Sequence, residues 1–326
     1  MAISLLRFDL RAPRQFGARH AELYAAALEM ASFAEAMGFD AISLSEHHGV
    51  DDGFLPSPLI LASALAARTQ RVRFSISALL APLYDPVKLA EDLAVLDLVS
   101  QGRVTTTLGM GYRREEFAMF GRSYADRGSL LDEWLEVLLR AWSGERFEWN
   151  GRVVQVTPAS FTRPHPPVNV GGQSRRGALR AARFGLPYQP ANNDPEMERT
   201  YLEACRRRGV TPNLMPPGSG EMIWVSRDPE RSWAAIGEHL LYEARVYASW
   251  QPASQQSSSV HSHATTVAEL RSEGLYRVLT PEACVERARA QGRHAAFVLY
   301  PLCGGTPPAL AWESLELYAN EVLPKL

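Results

Sequence analysis

The sequence is poor in cysteine, and its three cysteines stand far apart. They are Cys205, Cys284 and Cys303, and no two of them form a C-x-x-C pair. A disulfide framework needs paired cysteines and a zinc site needs closely spaced ones, so this spacing argues against both. Isolated reduced thiols are typical of a cytoplasmic protein, and we predict that location.

An excess of charge of one sign is also missing. The 326 residues include 34 Lys and Arg against 36 Asp and Glu, which gives a formal net charge of -2 at pH 7. A nucleic-acid-binding surface needs a basic excess, so we expect no nucleic-acid partner. No apolar run reaches the ~18 residues that span a bilayer, so we expect no membrane partner and no secretion signal.

Short apolar runs alternate with longer helical patterns along the whole chain. The pattern "ISLLRF" at residues 3–8 predicts a strand, and Asp85 with Pro86 is a typical helix start. About eight such strand–helix units predict a single domain over residues 1–326, an α/β fold of the (β/α)8 TIM barrel type. A doubly wound open sheet is the alternative, but no G-x-G-x-x-G follows the first strand pattern.

Two segments interrupt this alternation. Residues 144–166 contain short β patterns and several prolines, which predicts an added hairpin and a connector. Residues 249–273 are rich in Ser and Gln and poor in apolar side chains, so we expect a flexible insertion that cannot pack on its own. It is either a disordered linker or a mobile lid, because loops at the carboxyl ends of barrel strands can cover the site.

An acid and two histidines follow the second strand pattern, in the stretch "ISLSEHHGVDDGF". Barrel strands carry active sites at their carboxyl ends, so Glu46, His47 and His48 are candidate functional residues. Neighbouring residues on an extended segment face opposite ways, so at most one of the two histidines points into a pocket. Divergent histidines are poor ligands for one metal ion, and we predict no metal site. An imidazole that titrates near neutral pH suits proton transfer.

Glycines end the fourth and fifth strand patterns of the alternation. Because glycine has no side chain, the backbone can approach a flat or charged ligand at Gly109, Gly111, Gly171 and Gly172. Ser174 then begins a helix whose free N–H groups would attract an anion, and two arginines follow it. These features together favour a phosphate group at this helix start, although an ordinary capped helix has the same local pattern.

Five stretches of the chain match one known family when they are taken together. They are "GFDAISLSEHH", "LLAPLYDPVKLAEDLAVLDLVSQGR", "GMGYRREEFAMFG", "RFGLP" and "TPEACVERA". In this combination the chain resembles the bacterial luciferase-like family of flavin-dependent monooxygenases, over nearly its whole length. The resemblance implies a (β/α)8 barrel that binds FMN or a related deazaflavin at the carboxyl ends of its strands.

The resemblance also implies roles for individual residues. His47 takes the position of the histidine that flavin oxygen chemistry needs in this family, as an acid or base or as a hydrogen-bond donor. The family has a cis peptide bond between two non-proline residues beneath the flavin, which here would join Ser77 and Ala78. The phosphate site maps to Gln173, Ser174 and the turn after them. The cofactor-binding residues that we predict are Ser77, Ala78, Gly109, Met110, Gly111, Gly171, Gly172, Gln173, Ser174 and Arg175.

The tip of the fourth strand pattern departs from luciferase. Luciferase has a Cys-Arg pair where this chain has Gly109 and Met110, and the arginine contacts the flavin phosphate. Arg175 or Arg176 is expected to replace the lost charge, and the choice between FMN and a deazaflavin stays open. Because the cysteine thiol is missing, we do not expect efficient light emission.

A two-component flavin-dependent monooxygenase is the main functional hypothesis. No NAD(P)H-binding motif is found, so a separate reductase is expected to supply reduced FMN, with O2 as the oxidant. We expect a small apolar organic substrate, such as an aldehyde, a ketone or an aromatic natural product. The substrate-pocket residues that we predict are Phe8, Phe54, Leu55 and Tyr112.

Two alternatives use the same fold. One is a deazaflavin-dependent oxidoreductase that transfers hydride and does not use oxygen. The other is a non-catalytic flavin-binding luciferase relative, and the presence of His47 argues against it. The helices predicted at 57–67 and 89–99 are apolar over more than one face, which favours a homodimer interface.

Overall fold

The computed structural model describes residues 2–217, 221–250, 262–292 and 295–326. The strands in these ranges are β1 (Ile3–Phe8), β2 (Ala41–Leu44), β3 (Arg73–Leu80), β4 (Val104–Gly109), β5 (Phe147–Trp149), β6 (Arg152–Val154), β7 (Val168–Gly171), β8 (Tyr188–Gln189), β9 (Met222–Val225), β10 (Tyr276–Leu279) and β11 (Ala296–Leu299). The helices are α1 (His20–Met37), α2 (Pro58–Ala67), α3 (Pro86–Ser100), α4 (Arg114–Met119), α5 (Arg127–Trp142), α6 (Arg175–Phe184), α7 (Pro195–Arg208), α8 (Pro229–Trp250), α9 (Val267–Glu273), α10 (Pro281–Gln291) and α11 (Pro308–Glu321).

The chain divides into two compact units, and the first is built around parallel strands. It comprises the described residues of the ranges 1–43, 50–55 and 219–326. Its strands lie in the hydrogen-bonded order β10-β9-β11-β1-β2, and β1 pairs with β11 in parallel, as β9 does with β10 and β11. All four residues of β9 are buried, which is typical of parallel strands covered on both faces.

The second unit comprises the described residues of the ranges 44–49 and 56–218. Its strands β3, β4, β7 and β8 pair in parallel in that order. The peptide bond between Ser77 and Ala78 in β3 is cis, as the family resemblance implied. At the same place the pairing register of β3 with β4 shifts, between Ser77 and Leu79. The irregular point of this sheet is therefore at the carboxyl end of β3.

Helix starts in the second unit follow the capping residues of the sequence. The Asp85 carboxylate accepts hydrogen bonds from the N–H groups of Val87 and Lys88, and Pro86 occupies the first turn of α3. The Ser174 hydroxyl accepts a hydrogen bond from the N–H of Gly177 at 3.1 Å and so caps α6. Both predicted helix starts are confirmed.

The two segments that interrupt the alternation differ in outcome. The hairpin predicted within residues 144–166 is confirmed, because β5 and β6 pair in antiparallel fashion. In the segment 249–273, helix α8 continues to Trp250 and residues 267–273 form α9. Residues 251–261 lie outside the described residues, so the choice between a lid and a linker stays a prediction.

Strands and helices alternate in both units, as the sequence predicts. The assignment of residues 1–326 to one domain stays a prediction. Among the described residues, no helix is both long enough and apolar enough to cross a membrane.

Candidate active site

The acid and the two histidines after β2 are buried in the second unit. Glu46, His47 and His48 are 2%, 6% and 8% exposed. The two histidines have different partners, since His47 contacts Glu116 and His48 contacts Glu46 and the ring of Phe120. The two side chains therefore have no partner in common among these contacts.

Both ring nitrogens of His47 have hydrogen-bonding partners. Its Nδ1 lies 2.8 Å from Oε1 of Glu116, and its Nε2 lies 3.2 Å from the Tyr112 hydroxyl. An ionised carboxylate only accepts hydrogen bonds, so Nδ1 carries the hydrogen in neutral His47 and Nε2 accepts from Tyr112. A carboxylate that orients an imidazole in this way is the arrangement used for proton transfer by histidine.

Glu116, on α4, is fully buried and stays ionised. Its Oε1 also accepts hydrogen bonds from the backbone N–H of His48 at 3.0 Å and from Arg113 at 3.2 Å. Burial alone would raise the pKa of the Glu116 carboxyl, but the hydrogen bonds from His47 and His48 and the Arg113 charge together lower it. The carboxylate therefore holds His47 in one orientation across the neutral pH range.

Glu46 ties the histidine segment to the end of β3. Its buried carboxylate accepts hydrogen bonds from the N–H of Leu80 at 2.6 Å, from Nε2 of His48 at 2.9 Å and from the Tyr84 hydroxyl. Leu80 is two residues after the cis bond. Glu46 and His48 thus fix the backbone beside His47.

Two of the glycines at the strand ends make room for side chains of neighbouring strands. A Cβ on Gly109 would lie 2.9 Å from the Cβ of Ala78, and one on Gly171 would lie 2.6 Å from Cγ2 of Thr107. Gly172 differs, because nothing lies within 4 Å of its Cβ position and its φ is +142°. Gly111 also has a positive φ, of +76°.

The predicted phosphate residues lie around the start of α6. The side chain of Gln173 donates to Asp194 at 3.1 Å and accepts from the N–H of Asn192 at 2.9 Å. Ser174 is engaged as the helix cap, and Arg175 is exposed. The first N–H groups of a helix have no acceptor inside it, so this helix start fits an anion.

A buried arginine that the sequence reasoning missed reaches the tip of β4. Arg180 forms an ion pair with Asp132 at 2.6 Å and donates a hydrogen bond to the carbonyl oxygen of Gly128 at 3.0 Å. Its Nη1 also lies 3.6 Å from Sδ of Met110. The predicted substitutes for the missing luciferase arginine were Arg175 and Arg176, yet the guanidinium beside Met110 belongs to Arg180. The sequence carries no signal for this, because Arg180 is one of several arginines on α6.

The predicted substrate-pocket residues belong to different units. Phe8, Phe54 and Leu55 are buried in the core of the first unit, whereas Tyr112 is half-buried in the second. Their contact with a substrate stays a prediction.

Glu116 was missed by sequence reasoning. No local signal in the sequence singles out Glu116, because the histidine that it contacts is 69 residues away.

Comparisons with known proteins agree with the sequence resemblance. A family model described as luciferase-like monooxygenase matches residues 8–298. The oxygenase component of flavin-dependent trigonelline monooxygenase from Acinetobacter baylyi is 28% identical, over 57% of this chain and 55% of that protein. An F420-dependent glucose-6-phosphate dehydrogenase from Microbacterium testaceum is also 28% identical, over 98% of this chain and 97% of that protein. The chain spans about half the length of the first curated relatives that it matches.

A solved structure of similar fold is the oxygenating constituent of 3,6-diketocamphane monooxygenase from Pseudomonas putida in complex with FMN. Its TM-score is 0.73 at 20% identity, and the match covers 100% of this chain and 99% of that one. At this identity the likeness concerns the fold alone. It confirms the predicted α/β fold of the (β/α)8 type.

Proposed function

The chain belongs to the luciferase-like monooxygenase family, and from this we propose that it is a two-component flavin-dependent monooxygenase. In this proposal it receives reduced FMN from a separate reductase and uses O2 to oxygenate a small apolar organic substrate. A relative named as an oxygenase component supports the two-component arrangement. The observation that carries the proposal is His47, which a buried carboxylate orients at a strand end.

Features of the second unit support the flavin in this proposal. The cis bond joins two small residues, Ser77 and Ala78, and Gly109 beside Ala78 has no side chain, which is compatible with a ring system at this place. The start of α6, with the open backbone at Gly172, is suited to a phosphate. A bound reduced flavin would supply the electrons that activate oxygen, while the protein supplies position and a dry site.

His47 is the group that we assign to proton transfer. Glu116 orients its ring through Nδ1, so Nε2 is the nitrogen that gains and loses a proton. Because His47 is only 6% exposed, bulk water has little access to this proton. The carboxylate also stabilises the imidazolium form through its charge.

Hydride transfer with the deazaflavin F420 is the second candidate function. It is favoured by the F420-dependent relative, whose match covers 98% of this chain, whereas the oxygenase component matches 57%. The same oriented histidine would serve hydride transfer, since a proton accompanies the hydride in such a reaction. The two candidates differ in the cofactor that binds and in the use of oxygen.

The experiment is an anaerobic titration of the purified protein with FMN and with F420, each oxidised and reduced. Tight binding of reduced FMN, followed by substrate-dependent oxygen consumption, is the expected result. Binding of F420 alone would overturn the oxygenase proposal. His47→Ala is expected to keep flavin binding and to lose about 10²–10⁴-fold in turnover. His263→Ala, at an exposed histidine, is the matched control, and equal turnover in the two variants would contradict the role of His47.

A homodimer through α2 and α3 is the assembly that we propose. These helices pack on each other and expose apolar side chains, among them Ile60 at 74% and Val95 at 45% exposure. Leu98 and Val99 on α3 are also exposed. An exposed apolar patch of this kind is typical of a protein interface.

A further inference from the structure

We propose that Tyr112 is a catalytic residue that passes a proton between His47 and the bound molecule undergoing reaction. Its hydroxyl lies 3.2 Å from Nε2 of His47, and the two rings meet edge to face with centroids 5.4 Å apart. The sequence suggested only that Tyr112 lines an apolar pocket. The inference deepens the proposed function and rests on it.

The tautomer of His47 sets the direction of this hydrogen bond. Nδ1 donates to the Glu116 carboxylate, so Nε2 of the neutral ring has a lone pair and the Tyr112 hydroxyl donates to it. Both nitrogens of His47 are therefore occupied by side chains. A proton that leaves Nε2 meets the phenol oxygen first.

Tyr112 is also more exposed than His47. His47 is 6% exposed, whereas Tyr112 is half-buried and so presents more surface. Of the three residues Tyr112, His47 and Glu116, Tyr112 therefore has the most surface open to a ligand.

The loop that carries Tyr112 is held in place by its neighbours. The Tyr124 hydroxyl donates to the backbone oxygen of Tyr112 at 3.2 Å. The preceding Gly111 has a φ of +76°, and a Cβ there would lie 3.1 Å from the ring of the fully buried Phe117. A hydroxyl fixed in this way keeps the short path that proton transfer needs.

The proton step balances within this chain of groups. His47 begins as an imidazolium, with one hydrogen on Nδ1 and one on Nε2. The phenol O–H bond of Tyr112 breaks as its proton goes to a developing oxyanion of the bound molecule. The phenol oxygen then takes the proton from Nε2. Glu116 stays ionised throughout, so one proton moves from the imidazolium to the oxyanion and no redox change occurs.

The test is Tyr112→Phe, which removes the hydroxyl and keeps the ring. We expect flavin affinity within about threefold of wild type and a loss of about 10²-fold or more in turnover. A readout that needs no cofactor is the ¹⁵N NMR signal of Nε2 of His47, which is expected to shift when the donated hydrogen bond is removed. The matched control is Tyr24→Phe, a half-buried tyrosine on α1, for which neither quantity should change.

Three results would overturn the proposal. The first is turnover of Tyr112→Phe within threefold of wild type. The second is a loss of turnover matched by an equal loss of flavin affinity, because Tyr112 would then line the binding site without transferring a proton. The third is an unchanged Nε2 signal. The kinetic comparison uses the cofactor, FMN or F420, with which the wild type turns over. Binding of F420 alone overturns the FMN proposal, whereas near-normal turnover of Tyr112→Phe with the working cofactor overturns the role of Tyr112.

Discussion

Three carboxylates surround one arginine in the core of the first unit. The guanidinium of Arg11 lies 3.0 Å from Asp9, 2.6 Å from Asp52 and 2.7 Å from Glu243, and all four side chains are buried. The half-buried Arg7 adds a second positive charge near Glu243. Three negative and two positive charges leave a net charge of -1, so protonation of one carboxyl neutralises the cluster. We expect this cluster to make folding stability depend on pH.

Glu243 is the group that takes the proton. Burial raises the pKa of Glu243 to about 8, with Arg11 opposing the rise and Asp9 adding to it. The ordinary value is 4.5, so between pH 4.5 and about 8 the folded chain keeps a proton that the unfolded chain has released. The free energy of unfolding therefore falls as the pH rises through this window. One pKa unit corresponds to about 1.4 kcal/mol. The full shift therefore lowers the free energy of unfolding by about 5 kcal/mol once the pH is above 8.

Urea unfolding followed by tryptophan fluorescence at pH 5 and pH 8, at constant ionic strength, measures this effect. Glutamine resembles a neutral carboxyl and does not titrate. The free energy of unfolding of Glu243→Gln is therefore expected to lack the pH dependence that Glu243 contributes. Over these three pH units, wild type should lose about 4 kcal/mol more than Glu243→Gln. Glu238→Gln, at an exposed residue of α8, is the control and should follow wild type. Equal losses in wild type and Glu243→Gln would refute the reasoning.

Two further predictions concern packing and assembly. Gly109→Ala is expected to cost about 1–3 kcal/mol of stability, because its Cβ would lie 2.9 Å from that of Ala78. The control is Gly128→Ala, whose Cβ meets nothing closer than 3.6 Å, and equal urea midpoints would contradict the packing argument. Light scattering at micromolar concentration should give twice the 36.1 kDa chain mass, and Ile60→Glu with Val95→Glu should give one chain mass. A wild-type mass of one chain would rule out the dimer.

Local patterns were sufficient to predict the fold class and to place His47 after a strand. Strand and helix periods, with caps such as Asp85, mark elements over short stretches of sequence. The position of His47 at a strand end follows from the same alternation. The cis bond at Ser77 and Ala78 could not be predicted from propensity, and it came from the family resemblance alone.

The partners of His47 could not be predicted in this way. Glu116 is 69 residues from His47 in the sequence, and only the folded unit brings the two side chains to 2.8 Å. The same holds for Glu46. Its carboxylate accepts hydrogen bonds from Leu80 and Tyr84, which are 34 and 38 residues away in the sequence. Local periodicity records which face of an element is buried, but it does not record which polar groups meet there.

The glycines at the strand ends show how one residue type serves two purposes. The sequence predicts that a ligand approaches the backbone at Gly109 and Gly171. In the structure, however, a Cβ on Gly109 would lie under 3 Å from Ala78, and a Cβ on Gly171 would lie under 3 Å from Thr107. Their small size is therefore required by packing between strands, whatever binds. Gly172 has open space instead, with a φ that disfavours any side chain. We therefore expect a ligand that approaches the backbone closely to do so at Gly172. The cysteine that luciferase carries at the Gly109 position would here collide with Ala78.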